Sequence, residues 1–363
     1  MTGVLVVNAG SSSLKLSVLG EHDQVEAALE LERWDGDAGD VAGFIAEHGD
    51  IAVVGHRVVH GGAEFTGPVL IDRQVLARVE ALTDLAPLHQ PRALAGIRAV
   101  SRLLPEVPAV ACFDTAFHAG LPAAAATYAL PAAWIRRFGL RRYGFHGLSH
   151  AYASRRAAEL AAGRSRIVTC HLGAGASLAA VLDGRCVDTT MGFTPLEGLV
   201  MATRSGSVDP GLILWLAQHG GLSTDEIADG LDRRSGLAGL TGGSGDMRDV
   251  HAAADAGDQD AQLAVEVYLH RLRREIAAMA AAMHGLDALV FTGGVGEHDP
   301  VIRARTAAGL AFLGMTIDVD RNSAVGGDTD ISADAAAVRT LVITAREDLE
   351  IARQARAVLS ATR

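Results

Sequence analysis

Aromatic side chains are scarce in this chain. Phe, Trp and Tyr make up 4% of 363 residues, so the core has to be built from Val, Leu, Ile and Ala. Cysteine is scarcer still. Cys112, Cys170 and Cys186 sit in apolar runs without metal-ligand spacing, where a thiol packs as a small hydrophobe, and a reducing compartment is expected. Positive charge is in deficit: 32 Lys and Arg face 43 Asp and Glu, a formal net charge of −11. That balance argues against a nucleic-acid or membrane-surface partner. No apolar run reaches membrane-spanning length, and the first residues show no basic region followed by a long apolar stretch, so the cytoplasm is the expected location. No low-complexity segment appears. The length suggests two domains.

The most telling segment is 4–19. Two apolar strands flank a turn of small residues, Asn8, Ala9, Gly10 and Ser11 to Ser13, with Lys15 early in the second strand. Small residues let backbone N–H groups approach an anion, hydroxyls add donors, and Lys15 supplies charge. No Gly-Lys-Ser/Thr follows and the turn leads to a strand, which excludes a Walker A loop. An ordinary edge hairpin is the rival reading. A phosphate ligand inside so acidic a protein would need particular Arg and Lys residues placed for it.

Apolar runs of strand length recur at 4–7, 51–54, 107–113, 166–170, 178–182, 288–292 and 340–343, separated by helical patterns. In 263–283, Val265, Leu269, Leu272, Ile276, Met279 and Met283 form one stripe, ended by His284 and Gly285. Another helix is expected from Pro300, capped by Asp299, with Ile302, Thr306, Leu310 and Leu313 on one face. Residues 20–50 read as surface loops and a short helix. The alternation makes an α/β protein. Segment 166–182 echoes 4–19 as strand, small-residue turn and strand, and Asp183-Gly184 then turns tightly into 185–189. One such unit per half suggests a duplicated domain with a ligand between the halves; two coincidental Gly-rich hairpins are the competitor.

Ligands of α/β folds collect at the carboxyl ends of strands. Asp114, His171 with Gly173-Ala-Gly175, and Gly293–Glu297 before the Pro300 helix all fall there. Arg57 and Arg204 stand among Gly, Ser and Thr, off any periodic helix face; a guanidinium suits a carboxylate or phosphoryl group. His56/His60 and His146/His150 have i,i+4 spacing, but glycines interrupt both pairs and no zinc-protease Glu accompanies them, so a metal site there is not expected. His146 can instead donate to an anion. The loop Thr241–Arg248, with Asp246 and Arg248, is either nucleotide-facing or a solvated turn.

In their joint order these segments resemble the acetate kinase family. The match adds Leu85–His89, Phe113–His118, Tyr143–His150, Met191–Gly198, Thr203–Pro210 and Arg346–Ala352, and runs nearly end to end. The resemblance implies two ribonuclease-H-like (actin-like ATPase) halves with nucleotide in an interdomain cleft, and a homodimer. Residues 1–118 plus 349–363 would form one domain and 119–348 the other, carrying most nucleotide contacts. Position by position, it implies that Asn8 and Glu347 serve Mg²⁺ (with Mn²⁺ as a substitute) and that Asn8 and Lys15 lie at the phosphate. Arg57 and Arg204 would meet the reacting carboxylate and phosphoryl group, Asp114 would be the essential acid, and His146 a transition-state donor. His171, Leu172, Gly173, Ala174 and Gly175 would bind ATP/ADP, with Asp246, Met247 and Arg248 and then Gly294, Val295, Gly296, Glu297 and His298. Val59, Leu88, Phe145 and Pro195 would enclose the acetate methyl. Two departures touch the nucleotide: the family's usual Asn is Ala174 in the second turn and His298 in the later segment.

The reaction implied is reversible transfer of the ATP γ-phosphoryl group to acetate, giving acetyl phosphate and ADP. A carboxylate is already deprotonated, so no general base is needed, and Asp114 suits positioning of Mg²⁺ or its water. Propionate or butyrate kinase is the near rival, since one methylene is worth only about 1–3 kcal/mol in such a pocket. An actin-like nucleotide switch without an acceptor is the other; two arginines beside a methyl-sized pocket argue against it.

Overall fold

The computed structural model describes residues 3–10, 13–34, 36–48, 50–87, 89–161 and 163–362. Ser11 and Ser12 of the first turn, and Leu88 of the expected methyl pocket, lie outside the described residues. The chain divides into two compact units. One comprises Met1–Gly120, Phe145–Tyr152 and Arg346–Arg363; the other comprises Leu121–Gly144 and Ala153–Ala345.

In the first unit, β1 (Gly3–Ala9), β2 (Ser13–Leu19) and β3 (Val25–Glu32) form an antiparallel meander. The chain then crosses over to β4 (Ile51–Val58), which lies parallel to β1, and to β6 (Ala109–Phe113), parallel to β4; the two-residue β5 (Val69–Leu70) closes the edge. The order is β3-β2-β1-β4-β6-β5. Strand side chains alternate faces, so each central strand feeds two cores. Val4, Val6, Val53, Val110 and Cys112 pack on Ile351, Ala352 and Ala355 of the helix Glu347–Thr362. Leu5, Val7, Leu14, Leu16 and Val54 pack with Val41, Phe44, Ala99 and Val100 on the other face.

The second unit repeats this path. β7 (Arg166–Leu172), β8 (Ala176–Leu182) and β9 (Arg185–Thr189) are antiparallel, β10 (Ala288–Thr292) and β12 (Arg339–Val342) follow in parallel, and β11 (Thr329–Asp330) closes the edge. The order is β11-β12-β10-β7-β8-β9. The echo in the sequence is therefore a duplicated architecture, three antiparallel strands followed by two parallel crossovers in each unit. Asp183 (φ 49°) and Gly184 (φ 76°) make the left-handed hairpin turn expected between β8 and β9.

The long amphipathic helix spans Gln259–Ala282, with Val265, Leu269, Leu272, Ile276 and Met279 buried, and left-handed His284 and Gly285 follow it. Each such fully buried side chain contributes about 1.5–3 kcal/mol. The next helix is Pro300–Gly309, with the Asp299 carboxylate accepting from the Ile302 N–H at 2.9 Å. Cys112, Cys170 and Cys186 are buried, and no disulfide joins them. Among the described residues no helix is long and apolar enough to cross a membrane.

Two local expectations need correction. Residues 20–50 contain a full strand, β3, besides the helix Gly39–Glu47. It borders the sheet, so Glu26, Glu30 and Glu32 face solvent while Ala27, Leu29 and Leu31 cover the core, and its apolar content is low for a strand. The stretch after β10 is not an open turn: Gly293–His298 is a short helix that starts at once. Gly293 permits this with φ 78°, where a Cβ would come 2.8 Å from the Leu172 carbonyl oxygen.

Candidate active site

The parallel strands of the first unit deliver their carboxyl ends to one cluster. Asn8 and Arg57 are the next-to-last residues of β1 and β4, Asp114 follows β6, and Glu347 opens the last helix. Arg57 Nε donates to Asp114 Oδ1 and Oδ2 at 3.2 and 3.1 Å, and Nη2 donates to Oδ2 at 2.7 Å. Arg57 Nη1 donates to Asn8 Oδ1 at 3.1 Å and lies 3.7 Å from Glu347 Oε2, to which Asn8 Nδ2 donates at 2.9 Å. Burial disfavours the Arg57 charge, but Asp114 and Glu347 outweigh it and hold the guanidinium above its ordinary value. Burial also pushes the Asp114 carboxyl up to about 6, against the pull of Arg57 and with Glu347 adding to the rise. The cluster offers only oxygen ligands, two carboxylates and an amide. That set fits Mg²⁺, which takes few protein ligands and keeps water and phosphate oxygens for the rest.

His146 belongs to this unit. Its backbone is left-handed at φ 55°, an uncommon conformation for a non-glycine residue, and its carbonyl accepts from the His150 N–H at 2.9 Å. The next residue explains how it is held. Gly147 N–H donates to the Asp114 carbonyl at 3.0 Å, and a Cβ there would lie 2.0 Å from that oxygen. The backbone thus ties His146 to Asp114. Phe145 and Val59 are buried, and the Phe145 carbonyl is bonded to His118 Nε2 at 3.0 Å. Lys15 stands opposite Asn8 in the β1–β2 register, but it is exposed and paired with Glu30 of β3 at 2.9 Å.

In the second unit Arg204 Nη1 donates to the Pro195 carbonyl at 2.7 Å, its one side-chain hydrogen bond among the described residues. Burial lowers its affinity for the proton, opposed by the charge of Asp232. A half-buried guanidinium with a neutral partner keeps donors that suit a carboxylate or phosphoryl group.

The same unit encloses a cavity of about 1040 Å³. Gly173 and Ala174 of the β7–β8 turn line it, with Asp246, Met247 and Arg248 at the head of the helix Met247–Asp255, and Gly294, Val295 and His298 of the short helix. Eight residues from three segments singled out in the sequence thus meet in one place. Arg248 pairs with Asp246 at 2.5 Å, and hydrogen bonds from Arg248 hold the Asp246 carboxyl down at about 2.

The remaining residues of those segments work as frame. Leu172 is fully buried. Gly173 N–H donates to the Gly175 carbonyl at 3.0 Å, and His171 stands at the end of β7, opposite Ser177. Glu297 Oε1 accepts from the N–H groups of Gly293 and Ala345 at 2.8 and 2.9 Å. Buried Arg303 donates to the carbonyls of Gly296 and Glu297. Sequence reasoning missed Ala202, Leu237, His251 and Tyr268, which also line the cavity; Ala202 is beside the Arg204 segment, and the others sit in helices without local motif, where no signal marks them.

Two duplicated ribonuclease-H-like units, one carrying a carboxylate–arginine cluster and the other a glycine-lined cavity, define a phosphotransferase of the actin-like ATPase class. The model of the acetokinase family matches residues 40–353, and the chain belongs to that family. It is 46% identical to the acetate kinase of Clavibacter sepedonicus over 98% of both chains, and 42% identical to that of Shouchella clausii over 97% of this chain and 98% of that protein. Among solved structures it is similar to a propionate kinase from Francisella tularensis, 38% identical, and to acetate kinase from Porphyromonas gingivalis, 36% identical. Each has a TM-score of 0.91 and covers 99% of this chain and 100% of the other.

Proposed function

We infer that the protein is an acetate kinase, transferring the γ-phosphoryl group of ATP reversibly to acetate. The observation that carries this is Arg204, a half-buried guanidinium whose hydrogen-bond partner among the described residues is neutral, the carbonyl of the proposed pocket residue Pro195. Such a group draws in a small anion, and the anion here is the acceptor carboxylate as phosphate reaches it.

One acetate oxygen attacks the γ-phosphorus, a new O–P bond forms, and the bond from that phosphorus to the β–γ bridging oxygen breaks, leaving with its electrons on ADP. The acceptor needs no base, because it arrives ionised. Arg204 and His146 would stabilise the charge on the equatorial oxygens, while Arg57, fixed by Asp114, would orient the acceptor. Asn8, Asp114 and Glu347 would hold Mg²⁺, which when bound would neutralise phosphate charge. The cavity lined by Gly173, Asp246 and Gly294 would take ADP or ATP, and Val59, Leu88, Phe145 and Pro195 the methyl group.

A homodimer in the cytoplasm is part of the same reading. The helix Pro210–Gln218 buries none of its residues, although it carries Leu212, Leu214 and Trp215. An apolar helix with Leu212, Leu214 and Trp215 exposed suits an interface with a second copy.

The test is acyl phosphate formation, trapped with hydroxylamine, across acetate, propionate and butyrate with ATP as donor. Highest kcat/KM on acetate is expected. Highest kcat/KM on propionate would favour the second reading, propionate kinase, which the similarity to the Francisella structure keeps in view. No acyl phosphate from any of the three would overturn the kinase reading.

A further inference from the structure

The described stretch 190–209, between β9 and the helix at Pro210, holds no helix or strand, yet it carries both Pro195 and Arg204. A segment without a backbone ladder needs side chains to fix it. Three side chains that the mechanism does not use close 190–197 into a knot. Arg142 Nη1 donates to the carbonyls of Thr190 and Met191 at 3.2 and 3.1 Å, and its Nη2 donates to Glu197 Oε1 at 2.8 Å. The Tyr128 hydroxyl donates to Glu197 Oε2 at 2.7 Å and accepts from the Phe193 N–H at 2.8 Å. Both oxygens of Glu197 are therefore bonded, and Pro195 lies midway between the tethered positions Phe193 and Glu197. Burial, then the bond to Glu197, raises the Tyr128 phenol above its ordinary value, so it remains a donor. The Arg142 guanidinium also lies over the Tyr128 ring, 5.5 Å from its centre. Gly192 completes the knot: its carbonyl accepts from the Tyr143 N–H at 3.0 Å, and a Cβ there would overlap Glu197 Oε2 and Tyr128 Oη.

We propose that Tyr128, Arg142 and Glu197 are positioning residues that set the guanidinium of Arg204 by fixing the Pro195 carbonyl. This rests on the kinase reading, in which Arg204 meets the reacting oxygens. The link is short. Pro195 has no N–H of its own to anchor it, so its place depends on the tethers to either side. Its carbonyl accepts from Arg204 Nη1 at 2.7 Å, the one side-chain hydrogen bond that orients this arginine among the described residues. A shift of the segment moves the carbonyl, and the carbonyl moves the arginine. Donors aimed at a transition state act through fixed geometry, so a displacement of about 1 Å should cost about 10²-fold in rate. The network is shared: Tyr128 and Arg142 both bond Glu197 and both bond the backbone of 190–193, so loss of one member slackens the whole.

The experiment measures kcat and KM for acetate and for ATP in wild type, Tyr128→Phe, Glu197→Gln, Arg204→Ala and the double variant Tyr128→Phe/Arg204→Ala, with folding checked by circular dichroism. Tyr128→Phe keeps the ring and removes both hydroxyl bonds. Glu197→Gln keeps the shape and turns an amide N–H₂ towards one of the two donors. Each of these two single variants should lose tenfold or more in kcat/KM for acetate, while KM for ATP stays within twofold. In the Arg204→Ala background Tyr128→Phe should cost less than threefold, because the group it positions is gone. If Tyr128→Phe does not fold, Glu197→Gln paired with Arg204→Ala carries the same cycle. Losses that multiply in the double variant, or KM rising alike for both substrates, would overturn the proposal. A wild type that forms no acyl phosphate overturns the kinase reading and this proposal with it. An active wild type with both single variants within twofold of it overturns this proposal alone.

Discussion

Arg57 holds Asp114 along a whole edge of its guanidinium, with Nη2 2.7 Å from Oδ2 and Nε within 3.2 Å of both oxygens. This arginine is committed within its own unit. Arg204, with a single bond to the Pro195 carbonyl, is not. The two arginines should therefore fail differently. Arg57→Ala leaves the Asp114 carboxylate buried and unpaired and should cost about 3–5 kcal/mol of stability along with activity. Denaturant melts of the purified variant check this, and a midpoint equal to wild type would contradict the pairing.

Arg204→Ala should lower kcat by roughly 10²-fold or more, with stability changed by under about 1 kcal/mol. Steady-state kinetics beside a melt separate the two effects. Near-normal turnover would remove Arg204 from the reaction.

Gly147→Ala tests the backbone link between Asp114 and His146. The added Cβ would sit 2.0 Å from the Asp114 carbonyl oxygen, so the segment has to move. A loss of about 1–3 kcal/mol is expected from the overpacking. Displacing His146 by an ångström should cost about 10²-fold in kcat. If kcat stays at the wild-type level, His146 has no positional role.

Acid should destabilise the fold earlier than its carboxylates alone would require. Burial lowers His56 to about 3, and His60 and His118 to about 4, from the ordinary 6.5. Their folded values are depressed, so the neutral forms are favoured in the native state. The contribution is whole above pH 6.5 and is lost as pH falls towards 4 and 3. Each adds a slope of about 1.4 kcal/mol per pH unit in that window. Stability measured from pH 7 to 4 should fall steeply, and His56→Gln should flatten the curve. A variant with the wild-type slope would refute the assignment for His56.

Trp215→Glu, on the uncovered helix, should give a monomer by light scattering while the wild type is a dimer. An unchanged mass would place the interface elsewhere.

Much of the fold was legible because its signals are local. Continuous apolar runs of strand length marked β1, β4, β6, β7, β8, β10 and β12, and the stripe from Val265 to Met283 marked the long helix. The weak echo of 4–19 in 166–182 gave away the duplication. β3 escaped because an edge strand needs only Leu29, Leu31 and Ala27 on its inner face. Asp114 was legible as a strand-end carboxylate, Asn8 as part of the small-residue turn, and Arg57 as a guanidinium among small residues off any helix face. Tyr268 was not: in sequence it is one more large residue on a helix, and its place on the cavity depends on a wall assembled from segments far apart.

By itself the sequence determined the family, the α/β class, the residue types of the site and the acidic, thiol-poor character of the molecule, because these follow from order and composition. Tertiary structure decided how those residues are used. It showed Arg57 neutralised by Asp114 and Arg204 left open, Lys15 drawn to Glu30, and Glu297 spent on two backbone N–H groups. It also brought Phe145–Tyr152 back into the first unit, where Gly147 touches Asp114. Pairing, burial and close approach are relations between residues distant in the chain, and only the folded chain brings them together.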